Sequence, residues 1–164
     1  MLRMRFCLAV ICLLALPTLA SAQTKISGTV KCAKPDPQHM IAIEPGHSFM
    51  ISQFKCSWTK AMDIAGMQNK EGFGTSFDEV MGLQSHFHGY FVDTMANGDK
   101  VSYSYEGTAT MMKNGMMQGA EDKWEAVQAT GKFKAIKSHG TCKGKGTPDG
   151  GVTWQCEGEY QLPK

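Results

Sequence analysis

The chain has 164 residues, with 17 Lys+Arg against 15 Asp+Glu, 18 glycines and six cysteines. Its two arginines, Arg3 and Arg5, both lie at the start, so beyond residue 22 the basic and acidic residues balance at 15 each. A near-neutral chain without guanidinium groups lacks the counterion-release drive and the bidentate donors used to grip phosphate and guanine, which argues against a nucleic-acid partner.

The first element is an export signal. A basic start, Met1 to Arg5, precedes an apolar run of eleven residues from Phe6 to Leu16, then Pro17 and the small-residue stretch Ala20-Ser21-Ala22. Eleven residues at about 1.5 Å each cannot cross a hydrocarbon layer roughly 30 Å thick, so a signal-peptide helix is the expectation rather than a permanent anchor. Cleavage is expected after Ala22. This divides the chain into a signal peptide at 1–22 and one β-barrel domain at 23–164 that is secreted or periplasmic, with no stable membrane span once the signal is removed. Cys7 and Cys12 leave with the signal. Cys32, Cys56, Cys142 and Cys156 remain, an even number that favours disulfides in an exported protein.

Beyond the signal, β-branched and aromatic residues recur between evenly spread glycines, the pattern of an all-β sandwich or barrel. Lys25 to Cys32 reads as a first strand, ended by Pro35 and Pro37. His39 to Glu44 and His47 to Trp58 read as strands around Pro45-Gly46. Lys60 to Gly74 has no clean period and reads as a long surface loop. Ser76 to Glu79 reads as strand or a single turn. The hairpin from Ser85 to Met112 turns at Asn97-Gly98. A two-residue turn would set His86, His88 and Tyr90 beside Tyr103 and Tyr105. A three-residue turn ending in a left-handed Gly98 would set Phe87, Phe91 and Met95 there instead, and is favoured because it gathers apolar residues on one face. A second hairpin turns at Thr147-Pro148-Asp149-Gly150. Asp149 lies seven residues from both Cys142 and Cys156, which places those sulfurs opposite one another and leaves Cys32 to pair with Cys56.

The segment Ala129-Thr130-Gly131-Lys132-Phe133, with Ile136-Lys137, Gly140-Thr141, Gly144, Gly146 and the closing strand Val152 to Leu162, resembles small exported bacterial proteins akin to allene-oxide-cyclase-like (calycin-type) β-barrels. With the Asn97-Gly98 hairpin and Gly107-Thr108, the resemblance spans about half the chain. It implies a single closed antiparallel β-barrel. It carries no shared activity.

Three kinds of candidate chemistry follow. Trp58, Trp124 and Trp154, with Tyr103 and Tyr105, can line a small-ligand cavity, because an eight-stranded barrel sits at the boundary between a filled interior and one holding a small molecule. His86 and His88 share a strand face about 7 Å apart. Together with Met111 and Met116 they make a soft donor set suited to copper, against the ordinary reading of surface histidines and gap-filling methionines. No resident cofactor is otherwise implied. No nucleophile–base motif appears, so catalysis is not the leading expectation. The lysines at 132, 134, 137, 143 and 145 read as a solvated strand face. The leading function is binding of a small apolar or aromatic molecule; the alternatives are copper handling and a structural role at the cell envelope.

Overall fold

The computed structural model describes residues 23–163; the expected signal helix lies outside the described residues. Among them are ten strands and one 3-10 turn. The strands are β1 (Thr24–Cys32), β2 (Gln38–Glu44), β3 (His47–Lys60), β4 (Asp63–Ile64), β5 (Met67–Met81), β6 (Gln84–Met95), β7 (Lys100–Met111), β8 (Met117–Ala129), β9 (Lys137–Gly146) and β10 (Val152–Gln161).

The sheet runs β3-β1-β10-β9-β8-β7-β6-β5 and closes because β5 pairs back onto β3, giving an eight-stranded antiparallel barrel. Closure removes the free edges that an open sheet of this size would present. β3 is longer than the stave it fills. Its second half pairs with β1, whereas its first half pairs with β2, so the β2–β3 hairpin stands above one rim with the outer edge of β2 unpaired among the described residues.

The β6–β7 register follows from the turn. Gly98 adopts φ 87°, Met95 N–H donates to the carbonyl of Asp99, and Phe91 stands opposite Tyr103. This three-residue connection sends Phe87, Phe91 and Met95 inward with Tyr103 and Tyr105, as the apolar patterning requires. The β9–β10 hairpin places Cys142 opposite Cys156, and β1–β3 places Cys32 opposite Cys56. Both pairs are disulfide-bonded, and each bridge contributes about 2–4 kcal/mol.

The stretch expected to be a loop, Lys60 to Gly74, is instead the two-residue strand β4 and the first half of β5. Its pattern is inverted. Asn69, Gly72, Gly74 and Ser76 are buried, while Phe73 and Phe77 point outward and are about two-fifths exposed. Inward positions of β5 are small or polar because rings from neighbouring strands occupy the space above them: Phe91 over Gly72 and Phe54 over Gly74. Ser76 to Glu79 continues the same strand, so of the two readings of this segment, strand or single turn, the strand is the one found.

One end of the barrel is packed shut. The 3-10 turn Gly131–Phe133 between β8 and β9 drives Phe133 to complete burial beside Ile64, Met95, Val101 and Ile136. Burying a side chain of this size stabilises the fold by roughly 1.5–3 kcal/mol. The other end, ringed by the β1–β2 link and the β5–β6, β7–β8 and β9–β10 turns, has no such plug among the described residues and opens into the interior.

Candidate functional site

The open end leads into a cavity of about 440 Å³. Its walls are aromatic because large rings alternate with glycines across the sheet. A Cβ at Gly144 would stand 2.6 Å from Trp154 Cζ3, and one at Gly158 would stand 2.6 Å from Trp124 Cζ2. Each indole therefore lies against bare backbone instead of reaching across the centre. Tyr103 meets Trp124 edge-on with ring centroids 5.4 Å apart, and Phe87 meets Trp154 in the same manner at 6.2 Å, the arrangement that aromatic quadrupoles favour. Trp58, Trp124, Trp154, Tyr103 and Tyr105 all line this one space.

Three carboxylates line it as well, and the sequence reading did not single them out. Asp93 on β6 is fully buried. It accepts a hydrogen bond from Trp58 Nε1 at 2.9 Å and another from the Asn69 side-chain amide. Burial pushes its carboxyl up to about 7, with the Trp58 and Asn69 donors pulling the other way. Asp122 on β8 is also raised to about 7 by burial, opposed by the Cys142 backbone N–H that donates to it at 3.1 Å. Asp78 on β5 is raised by burial, with Ser76, His88 and Ser85 lowering it in smaller measure. Its Oδ2 is buried without a hydrogen-bond partner, as is the indole N–H of Trp124. Leaving such groups unmet costs about 1–3 kcal/mol each. Tyr105 connects the two halves of this level. Its hydroxyl donates to the Thr75 carbonyl at 3.0 Å, and burial, then Asp78 and Asp122, raise its phenol.

A signal for two of these acids is present in the chain. Asp93 sits two residues from both Phe91 and Met95, and Asp122 two residues before Trp124, so each shares a strand face with buried apolar residues. Asp78 carries no such mark, because the pattern of β5 is inverted.

The histidine–methionine set does not converge. His86 and His88 point outward from β6, where His88 stacks on Phe77 with centroids 5.5 Å apart, whereas Met111 and Met116 line the mouth of the cavity with Met50 and Met117. Among the described residues no three His, Cys, Asp or Glu side chains are grouped to hold a metal ion. A more open groove of about 920 Å³ crosses the outer face between Phe49, Phe77, His88, Glu106 and Lys123. Its mixed, solvated walls mark it as the lesser candidate for a small molecule.

No protein-family profile matches the sequence, and no curated protein matches it. Among solved structures, the chain is similar to a conserved protein of unknown function from Rhodopseudomonas palustris. The TM-score is 0.51 at 7% identity, covering 85% of this chain and 98% of that one. The likeness shows the fold.

Proposed function

We propose that the protein is a small-molecule binder whose ligand sits inside the barrel. The observation that carries this is the aromatic-walled cavity, open at one end and held open by rings that lie on glycine backbone. A space of this size and lining is of the kind that buries most of a small ligand, with a few polar groups fixing its orientation. The two disulfides support residence in an oxidising compartment, periplasmic or extracellular, and so the export reading. Within small barrels, the allene-oxide-cyclase-like group is our assignment, supported by the glycine-rich C-terminal segment.

The test is titration of the chain from residue 23 with N-phenyl-1-naphthylamine, a neutral apolar fluorophore. Saturable enhancement with matching quenching of tryptophan emission is expected, since three indoles face the cavity. An unchanged spectrum at high probe concentration would dispose of the binding role.

A second reading, an interaction protein that pairs with its own kind, is favoured by β2. Among the described residues nothing pairs with its outer edge, and Met40, Ile41 and Ile43 on it are each more than half exposed. Apolar, unblunted edges of this kind template strand addition. Sedimentation velocity over a hundredfold range of concentration should then show a dimer that Ile41→Lys abolishes.

A further inference from the structure

The charges that line the cavity are of one sign. Asp78, Asp93 and Asp122 face it, and among the described residues the one basic side chain along its wall is Lys34, at the exposed rim. Asp93 already has two donors. Asp78 and Asp122 are differently placed. The register runs Asp78, Phe87, Gly107, Asp122 at one level around the wall, and Gly107 contributes no side chain. Both carboxylates bear on the same Tyr105 hydroxyl, whose proton is committed to Thr75. Ser76 and Ser85 lie close enough to Asp78 to lower its pKa, yet its Oδ2 is buried without a hydrogen-bond partner.

From this we infer that the ligand is an organic cation, a small amine with an apolar or aromatic body, whose ammonium group is received between Asp78 and Asp122. The inference rests on the reading of the cavity as a binding site and adds the ligand's charge to it. An ammonium supplies up to three donors at the level where an acceptor lacks one. The faces of Trp124, Trp154 and Tyr105 receive the body and add cation–π attraction near the charge. A carboxylate ligand would meet like charges in a desolvated space, and a hydrocarbon would leave the Asp78 oxygen unmet. The unpartnered Trp124 N–H fits a ligand that also bears a hydroxyl or carbonyl oxygen. Burial already disfavours charge on Asp78 and Asp122, and a bound cation reverses that preference.

Three indoles of matched size separate the possibilities in competition against bound N-phenyl-1-naphthylamine: tryptamine, which is cationic, tryptophol, which is neutral, and indole-3-acetate, which is anionic. Tryptamine is expected to displace the probe at least about tenfold more effectively than tryptophol, one charge-assisted hydrogen bond's worth, with indole-3-acetate weakest. Asp78→Asn and Asp122→Asn should each narrow the gap between tryptamine and tryptophol. Probe binding with equal competition by all three, with preference for indole-3-acetate, or with no competition at all overturns the cation while the cavity stands. Failure of the probe to bind removes both. The wild-type charge series needs no variant to fold, so the inference remains open to refutation if either Asp→Asn protein is unstable.

Discussion

The two ends of the barrel are built on opposite rules. At the closed end apolar side chains meet across the axis, and Ile64, Val101 and Phe133 have no exposed surface at all. At the open end the same staves carry rings flattened onto glycines, unpartnered polar atoms and methionines around the mouth. Sequence economy explains how one sheet manages both: strands alternate inward and outward between occasional bulges, such as that between Asn69 and Glu71, and the size of the inward residue changes along them. The difference teaches that stability and binding are separable here, and variants at the two ends should show it.

The largest effect is expected from Phe133→Ala, which empties the plug. It should lower unfolding free energy by about 3–5 kcal/mol, read from urea denaturation, while the affinity for N-phenyl-1-naphthylamine stays within about twofold in the fraction that remains folded. A large loss of affinity in folded protein would show that the ends are coupled. Next is removal of the β9–β10 bridge by Cys142→Ser with Cys156→Ser. A cost of about 2–4 kcal/mol is expected, measured against the oxidised protein under the same denaturant.

The third prediction concerns pH and tests whether the deep acid belongs to the scaffold. Because the carboxyl of Asp93 lies at about 7 when folded, against 3.8 when free, the native state holds its proton more tightly than the unfolded chain. Its contribution is therefore greatest below about pH 4 and is lost as pH rises through about 7, after which it levels. Asp122 acts in the same direction over the same window. The thermal midpoint should fall between pH 5 and pH 8, by an amount worth up to a few kcal/mol, and Asp93→Asn should flatten part of that slope. The substitution is accommodated because Asn69 Oδ1 is buried without a partner, and turning that amide over offers an acceptor to the new side chain. A slope identical in the variant would move the titration elsewhere.

The smallest change in stability with the sharpest change in binding is expected for Gly144→Ala. The added methyl must displace Trp154 toward the cavity, at a cost of about 1–3 kcal/mol. Probe affinity should drop more than urea resistance does. If the probe binds as before, the indole is not part of the binding wall.

Much of this architecture could be read from the chain, and the omissions share one cause. β6–β7 and β9–β10 were legible because their turns, Asn97-Gly98 and Pro148-Asp149-Gly150, fix the register, and the register in turn fixes which cysteines meet. Trp58, Trp124, Trp154, Tyr103 and Tyr105 were legible as candidates from residue type, since bulky rings in a small barrel have few places to go. β5 was not. Glycine and polar residues inside with phenylalanine outside is the reverse of the usual strand, and it makes sense only once Phe54 and Phe91 are seen to lie over Gly74 and Gly72. Asp78 was hidden by the same inversion. Its position depends on barrel closure through β3–β5, a pairing that no local pattern announces.

The placement of the two disulfides carries a consequence for access. They tie β1 to β3 and β9 to β10, so four consecutive staves, β3-β1-β10-β9, are riveted in pairs on either side of the seam where the first and last strands meet. The opposite half, β5 to β8, is held by hydrogen bonds and packing alone. That half also bears Asp78 and Asp122, so the stretch of wall that carries no covalent cross-link is the one equipped to greet an entering guest.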